Sequence, residues 1–533
     1  MNYQAYEDKN IEEYQNRFQM GRLCARVLAS HQLNEEQLQE VLNPPKLHNP
    51  FEAVGLKAVV DRLKAACDNN EKVLICGDYD ADGICATAIA YHALSRANII
   101  CGYYIPNRFK EGYGLHPHTV EMAKEKGYTL LLTVDNGVKA YEAAEKAAEL
   151  GLELIITDHH TVEGKLPKCS LFLHPQKMGK PFETLSGAGV AFELSRALIG
   201  EDEEMLILAC VAAIGDVMPL WRETRSIVRM GIAALNRGKG MAIQKLANQM
   251  GAWDETKISF QVVPKLNVTG RLADMANANM TVRYLLSQNR DEIIKCSKQI
   301  GDLNELRKIK SEEMTRKAMH LVDDQYLFQV LHDDSFHEGL TGLVAGKLAS
   351  QLKKPVMVLS GFEYLRGSIR SYGNLNLNEF FQDGQSLFDA YGGHPKAAGL
   401  GFSRAALKQV QKFVNHKMDR LEVSDEEVRS YLPLQDGDLT LSQVQELQRL
   451  KPFGEGFPPT LFAYRMKPDM KEKTMREGKH IKWSNDQLEV VKFNCADQIP
   501  LWKKRNDLIF YGTLSISAFR GNQKISLMAE DIQ

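Results

Sequence analysis

The sequence predicts an α/β protein: a parallel-sheet domain, joined by a long helix to a smaller α/β domain and followed by a small OB-like β-barrel. Three patterns carry that expectation. Apolar runs of strand length alternate with helical stretches between residues 71 and 157. Residues 289–322 are highly charged, with Ile293, Cys296, Ile300, Leu303 and Leu306 at the spacing of one long helix. From about residue 450, short β-like runs alternate with turns.

In chain order, residues 1–50 read as a polar helical arm closing at the loop NPPKLHNP. Residues 51–220 hold the main sheet. Glu71–Gly77, Ile99–Ile105, Thr129–Val134 and Leu152–Thr157 are its strands, with helical stretches between them. Connections of that length require parallel pairing with helices on both faces, and ligands of such sheets sit beyond the carboxyl ends of the strands. Residues 221–324 are expected to be helical and to end in the connector helix, where Gly301 is the weak point. A second α/β pattern fills 325–420 and ends at the glycine-rich YGGHPKAAGLGF. Residues 421–449 read as an acidic linker. The barrel takes 450–533, with Trp483, Trp502, Tyr511 and Phe519 as aromatic candidates for stacking on bases.

Bulk properties narrow the class. A chain of 533 residues exceeds one core, and 44% hydrophobic with 25% charged residues is ordinary for a globular protein. There is no apolar run of 18 residues and the N-terminus is polar, so neither a membrane span nor a secretory signal is expected. Nine scattered cysteines without a C-x-x-C pair indicate a reduced, cytoplasmic setting, with Cys76 and Cys210 as core residues. The net charge of −2 favours no partner, although residues 451–533 carry 14 Lys+Arg against 10 Asp+Glu.

The chemistry is concentrated at strand ends. Gly77-Asp78-Tyr79-Asp80-Ala81-Asp82-Gly83 follows the first strand. Three carboxylates two residues apart raise one another's pKa or require a cation. An EF-hand is excluded, because Ile89 occupies the twelfth position and no helix precedes the loop. Asp135 follows the third strand in Val134-Asp135-Asn136-Gly137, and Asp158-His159-His160 follows the fourth. Asp216 lies in Gly215-Asp216-Val217-Met218-Pro219-Leu220. Carboxylates with imidazole suit Mn²⁺ or Mg²⁺ better than structural zinc, and this many donors fit two ions about 3.5–4 Å apart.

GDYDADG, VDNG, DHH and GDVMPL, in this order, resemble the motifs of the DHH phosphoesterase superfamily. The later GGHPKAAG at Gly392–Gly399 resembles its companion DHHA1 lobe. Within the superfamily the chain is most similar to the RecJ family of single-strand-specific 5′→3′ exonucleases. That likeness rests on Pro106-Asn107-Arg108, Gly112-Tyr113-Gly114, Leu266-Asn267-Val268-Thr269-Gly270-Arg271, Gly367-Ser368-Ile369-Arg370-Ser371 and Pro452-Phe453-Gly454-Glu455-Gly456. It covers roughly residues 45–533.

The resemblance implies a site. Asp78, Asp80, Asp82, Asp135, His159 and Asp216 are expected as metal ligands, with Asp135 as the bridge. His160 and Asp158 are expected as the catalytic pair, His160 facing the substrate phosphate. Arg108, Asn267, Arg271, Ser368, Arg370 and His394 are expected to grip nucleic acid or its terminal phosphate. Leu74 stands where many members have a metal-binding histidine, Lys265 where an arginine is common, and Val268-Thr269 where two alanines are usual. The implied activity is two-metal hydrolysis of single-stranded DNA from the 5′ end to 5′-mononucleotides, in recombination and repair. The implied protein is a monomer free of membrane, with a single-strand-binding protein and a helicase as candidate partners. Two alternatives stand beside it: a DHH phosphodiesterase for short oligonucleotides or cyclic dinucleotides, and a non-catalytic DNA-binding relative.

Overall fold

The computed structural model describes residues 1–533 except 1, 8–9, 163, 249, 422, 424–427, 504 and 520–521, and except the side chains of 2, 436, 518 and 519. It comprises two compact units, Asn49–Asp216 with Gly231–Glu427, and Met1–His48 with Val217–Met230 and Val428–Gln533.

The larger unit begins with a five-stranded parallel sheet. Its strands are β1 (Lys72–Cys76), β2 (Ile100–Tyr104), β3 (Leu130–Val134), β4 (Glu153–Thr157) and β5 (Leu171–Leu173), in spatial order β2-β1-β3-β4-β5. All five residues of β3 are buried, as expected of a central strand covered on both faces. The short β5 has only three residues, too few for a period to mark it in the sequence. Around the sheet lie α1 (Ala81–Arg96), α2 (Pro117–Glu125), α3 (Tyr141–Glu149), α4 (Gly187–Ile199) and α5 (Glu203–Gly215). The sequence of α1 is apolar almost all round, and it is buried against α4 and α5. Chain direction across the sheet reverses between the adjacent strands β1 and β3. Such a reversal opens a crevice at the strand ends, and Asp78 and Asp135 follow these two strands.

The connector is α6 (Arg290–Met319), one continuous helix of 30 residues. Asn289 caps it by accepting from the Asp291 and Glu292 N–H groups, while Arg316 and Lys317 complement the dipole in its last turn. Gly301 does not break it. A Cβ at that position would meet nothing, so only the propensity cost of about 1 kcal/mol remains.

The second lobe carries β6 (Gln329–His332), β7 (Val356–Ser360), β8 (Tyr364–Arg370), β9 (Ala390–His394) and β10 (Ala397–Ser403), in order β9-β10-β8-β7-β6. Only β6 and β7 pair in parallel. Helix α7 (Thr341–Leu352) packs on β7 and β8, and Phe328, Phe381 and Phe402 fill the core beneath.

The smaller unit corrects four expectations. Residues 1–50 are not a separate arm: Asn2–Ala5 pairs in parallel with Val428–Pro433. Leu23, Val27 and Leu28 of the helix Arg22–Ser30 enter the same core as Trp483, Phe510 and Leu527. Residues 428–449 are not a free linker, since Val428–Pro433 and the helix Leu441–Glu446 belong to this unit; residues 422 and 424–427 lie outside the described residues. Among the described residues the sheet has eight strands and is not confined to 450–533, because Asn2–Ala5 and Val428–Pro433 complete it. The expected stacking aromatics are core residues here: Trp483 is 0%, Trp502 7% and Tyr511 5% exposed. The side chain of Phe519 lies outside the described residues. Arg26, also buried, donates to Asp438 at 2.6 Å and to the Pro433 carbonyl at 2.9 Å.

Candidate metal centre

Each donor is placed by a local device. Asp80 caps α1 and accepts from the Gly83 N–H at 3.0 Å. Asp82, in the first turn of α1, is aimed across at the start of α4. Its carboxylate accepts from the Ser186 hydroxyl and from the Gly187 and Ala188 N–H groups, each at 2.8 Å. Asp135 leaves β3 with φ 60°, a left-handed conformation that aspartate tolerates. Gly187 permits that approach, since a Cβ there would overlap Asp135. Asp216 ends α5, and Val217 beside it adopts φ 55°, a strained value for a β-branched residue.

These devices converge. Three sets of donor atoms lie within 4.8 Å of one another and could hold a metal ion: Asp78 with Asp80 and Asp135; Asp82 with His159 and Asp216; Asp135 with His159 and His160. Asp135 and His159 each belong to two sets. His159 Nε2 lies 3.1 Å from Asp135, 3.4 Å from Asp216 and 3.5 Å from Asp82. Asp78 Oδ1, Asp135 Oδ1 and His159 Nε2 are buried without a hydrogen-bond partner. Buried lone pairs left unpaired in this way are costly, and a cation is the ligand that satisfies them.

Electrostatics agree. Burial and the neighbouring charge of Asp80 hold the Asp78 carboxyl well above the usual range. Asp135 is likewise raised well above it, by burial and then by Asp82, Asp80, Asp216 and Asp78. Burial and Asp82 push Asp216 up to about 8. Burial lowers the His159 pKa, keeping the imidazole neutral as a ligand requires.

His160 differs from its neighbour. Burial opposes its charge, but the hydrogen bond and charge of Asp158 outweigh it and raise the pKa to about 9. Asp158 is buried and fully engaged. It accepts from His160 Nδ1 at 2.8 Å, from the His159 and His160 N–H groups, and from the Val138 N–H at 2.9 Å. It therefore orients an imidazolium and has no place among the three donor sets. Tyr113, unassigned from sequence except as part of a motif, donates to the Asp135 carbonyl at 3.2 Å and lies 3.3 Å from the His160 ring.

The arginines form a second cluster in the same unit. Burial, then the charges of Arg108, Arg307 and Arg370, lowers the Arg271 pKa to about 10. Burial and Arg108 also lower that of Arg370. Arg108 lies over the Tyr79 ring, 5.3 Å from its centroid. Ser368 lies 3.1 Å from the Thr341 hydroxyl at the start of α7, and Arg370 donates to its neighbour's carbonyl, Ile369 O, at 2.9 Å. Gly339 matters here, because a Cβ would overlap the Arg271 carbonyl. Two expected nucleic-acid residues sit differently. The Asn267 side-chain oxygen accepts from the Ala81 N–H at 2.8 Å, bracing the first motif, and His394 is exposed at the end of β9.

Sequence reading missed Ser186-Gly187-Ala188, which holds Asp82; its signal was an N-cap serine before an apolar helix. It also missed Arg307, hidden among the many charges of α6.

The family described as DHH family, N-terminal domain, matches residues 72–215; the DHHA1 domain matches 323–420 and the RecJ OB domain 432–531. Fold and donor set thus define a DHH-class protein with a DHHA1 lobe and an OB domain. The single-stranded-DNA-specific exonuclease RecJ of Bacillus subtilis is 32% identical over 510 residues, covering 91% of this chain and 64% of that protein. That of Thermus thermophilus is 30% identical over 502 residues, covering 93% and 73%. The crystal structure of Thermus thermophilus RecJ in complex with Mn²⁺ matches with a TM-score of 0.86 at 26% identity, covering 99% of this chain and 78% of that one. Its complex with Mg²⁺ matches at 0.78 and 25%, covering 99% and 77%. The chain belongs to the RecJ family. It spans 64% of the length of the Bacillus subtilis relative. Among the described residues, no helix is long and apolar enough to cross a membrane.

Proposed function

We propose that this protein is an exonuclease for single-stranded DNA that depends on two Mn²⁺ or Mg²⁺ ions and works 5′→3′, releasing 5′-mononucleotides in recombination and repair. The observation that carries the reading is the overlap of donor sets at Asp135 and His159, with three buried donor atoms unpartnered. The names and bound metals of the relatives support it. Asp78, Asp80, Asp135, His159 and Asp216 hold the ions, and Asp82, engaged at the start of α4, buttresses them. When bound, such ions activate water near neutral pH and offset charge developing on the phosphate.

The chain's own groups do the rest. His160, kept protonated by Asp158, donates to a phosphate oxygen. Arg108, Arg271, Ser368 and Arg370 hold the terminal 5′-phosphate, so that the bond one nucleotide in lies over the donors; His394 makes a backbone contact from the adjoining hairpin. Asn267 acts indirectly, by bracing Ala81. In this reading residues 51–220 carry the chemistry, 221–324 connect, 325–420 hold the end of the strand, and the OB unit holds more of its length. A cytoplasmic monomer, fed by a single-strand-binding protein or a helicase, completes the proposal.

The test uses long single strands labelled at either end, and a dinucleotide, with Mn²⁺. Release of the 5′ label first, as a mononucleotide, is the expected result. Release from the 3′ end, or turnover of the dinucleotide alone, overturns the reading.

A further inference from the structure

A cavity of about 330 Å³ opens beside the donors, lined by Tyr113, Leu115, His116, Pro117, Gly137 and Tyr141 among others. Resting on the nuclease reading above, we propose that this cavity receives the unpaired base of a nucleotide next to the scissile phosphate, with Tyr141 as its stacking platform.

Position is the first argument. Tyr113 touches both the Asp135 carbonyl and the His160 ring, and Gly137 follows Asp135 by two residues, so the cavity adjoins the reacting centre. A base in it stays tethered to a phosphate at the donors.

Chemistry is the second. Tyr113 and Tyr141 leave 45% and 41% of their surface exposed, although both line a concave site. Large aromatic faces open to water in a cavity suit a flat apolar ligand, and every nucleobase has a π-face. Tyr141 is held from behind, its hydroxyl donating to the Lys165 carbonyl at 2.9 Å, which fixes the ring without filling the cavity. Tyr113 is held by its hydroxyl at the Asp135 carbonyl, and Gly112 and Gly114 at φ 92° and 78° turn the chain on either side of it.

An edge group is the third. His116 Nε2 in the wall is a buried atom without a partner. That nitrogen can donate to or accept from a base edge, according to its tautomer, without a single required pattern, which fits a nuclease that cleaves any sequence. A paired, stacked base cannot enter. The cavity therefore selects single strands at the chemical step itself.

The experiment combines Tyr141 variants with strands carrying one abasic residue at each of the first six positions. On an ordinary strand Tyr141→Ala should raise KM about tenfold with kcat little changed, and Tyr141→Phe, which keeps the ring but not its hydrogen bond to the Lys165 carbonyl, should raise KM less. One abasic position should reproduce that loss in the wild type, and on that substrate Tyr141→Ala should add nothing. Equal cost of Tyr141→Ala on every abasic substrate, or no cost at all, overturns the proposal while leaving the nuclease intact. Binding gives a readout that does not need cleavage. With EDTA present, 2-aminopurine at the sensitive position should be quenched by wild type and not by Tyr141→Ala. Should the wild type fail to cleave, the nuclease reading falls, and this quenching alone decides the cavity: no difference between the two proteins overturns it. Tyr141→Leu fills the space without stacking, and serves if Tyr141→Ala unfolds by calorimetry.

Discussion

Within the larger unit, Asp78, Asp80, Asp135 and Asp216 crowd together at the strand ends, while Arg108, Arg271, Arg307 and Arg370 influence one another in a second group. In the first, burial and mutual repulsion raise the carboxyl pKa values; in the second, burial and repulsion lower those of the guanidinium groups. The smaller unit handles buried charge in the opposite way, pairing Arg26 with Asp438 at 2.6 Å. A buried charge that meets its opposite within the chain belongs to the fold. One kept with its own kind carries a standing cost, which a ligand of opposite sign removes. The first cluster is thus prepared for cations and the second for an anion.

The largest consequence concerns the shared donor. Asp135→Ala should lower cleavage by at least ~10³-fold and abolish one high-affinity Mn²⁺ event in calorimetric titration. The metal-free variant should unfold no earlier than wild type, because a repulsive charge has been removed. Wild-type turnover in saturating Mn²⁺ would refute the assignment.

Next in size is the paired control. Arg26→Ala strands Asp438 as a buried unpaired charge and should destabilise the smaller unit by about 3–5 kcal/mol in denaturant unfolding. Arg271→Met should cost little stability and should weaken DNA binding. If both substitutions destabilise alike, the distinction between fold charge and ligand charge fails.

The anion side is measured on the strand end. Arg370→Ala should weaken use of 5′-phosphorylated strands by roughly 1.5–3 kcal/mol, the scale of a charge-assisted hydrogen bond. Strands with a 5′-hydroxyl should lose less. An equal loss on both would make Arg370 a general backbone contact.

The smallest effect is a pH slope. Asp216 is raised from 3.8 to about 8, so across that window the folded state holds a proton that the unfolded state has released. Stability from this group is present below the unfolded pKa and is lost as pH rises toward 8. His31, His116, His159 and His174, held below the usual imidazole value by burial, titrate in the same window with the opposite sign, so the contribution of Asp216 is read as a difference. In EDTA, the melting temperature of Asp216→Asn relative to wild type should rise between pH 6 and pH 8, and Mn²⁺ should reverse that trend. Arg271, at about 10 against 12.5, regains stability only as pH rises through that higher window, so it adds no slope between 6 and 8. An identical pH dependence in the two metal-free proteins would contradict the raised carboxyl.

A cut near Arg449, at the boundary the sequence suggests for the barrel, would divide the core of the smaller unit. It would remove Trp483, Phe510 and Leu527 from the core that Leu23, Val27 and Leu28 share. The remaining N-terminal segment would expose apolar surface, so aggregation is expected in place of a clean loss of DNA affinity.

Strand-end carboxylates, the order of the motifs and the connector helix were legible because they are local. An apolar run of five residues, an aspartate just after it, or apolar positions every three to four residues declares itself in a short window. Those features pointed to the sheet and to metal chemistry at its strand ends, and the family resemblance supplied the expected ligand set. Tertiary structure alone decided the partners of those residues. Asp82 is held by residues more than a hundred positions away, and the four arginines come from separate segments of the chain. Strands from both ends of the chain complete the eight-stranded sheet, which buries Trp483, Trp502 and Tyr511 where exposed platforms were expected. The reason is physical. A residue's periodicity reports which face of its element is apolar, whereas the group that covers that face is chosen by chain closure over long separations, which no local window records.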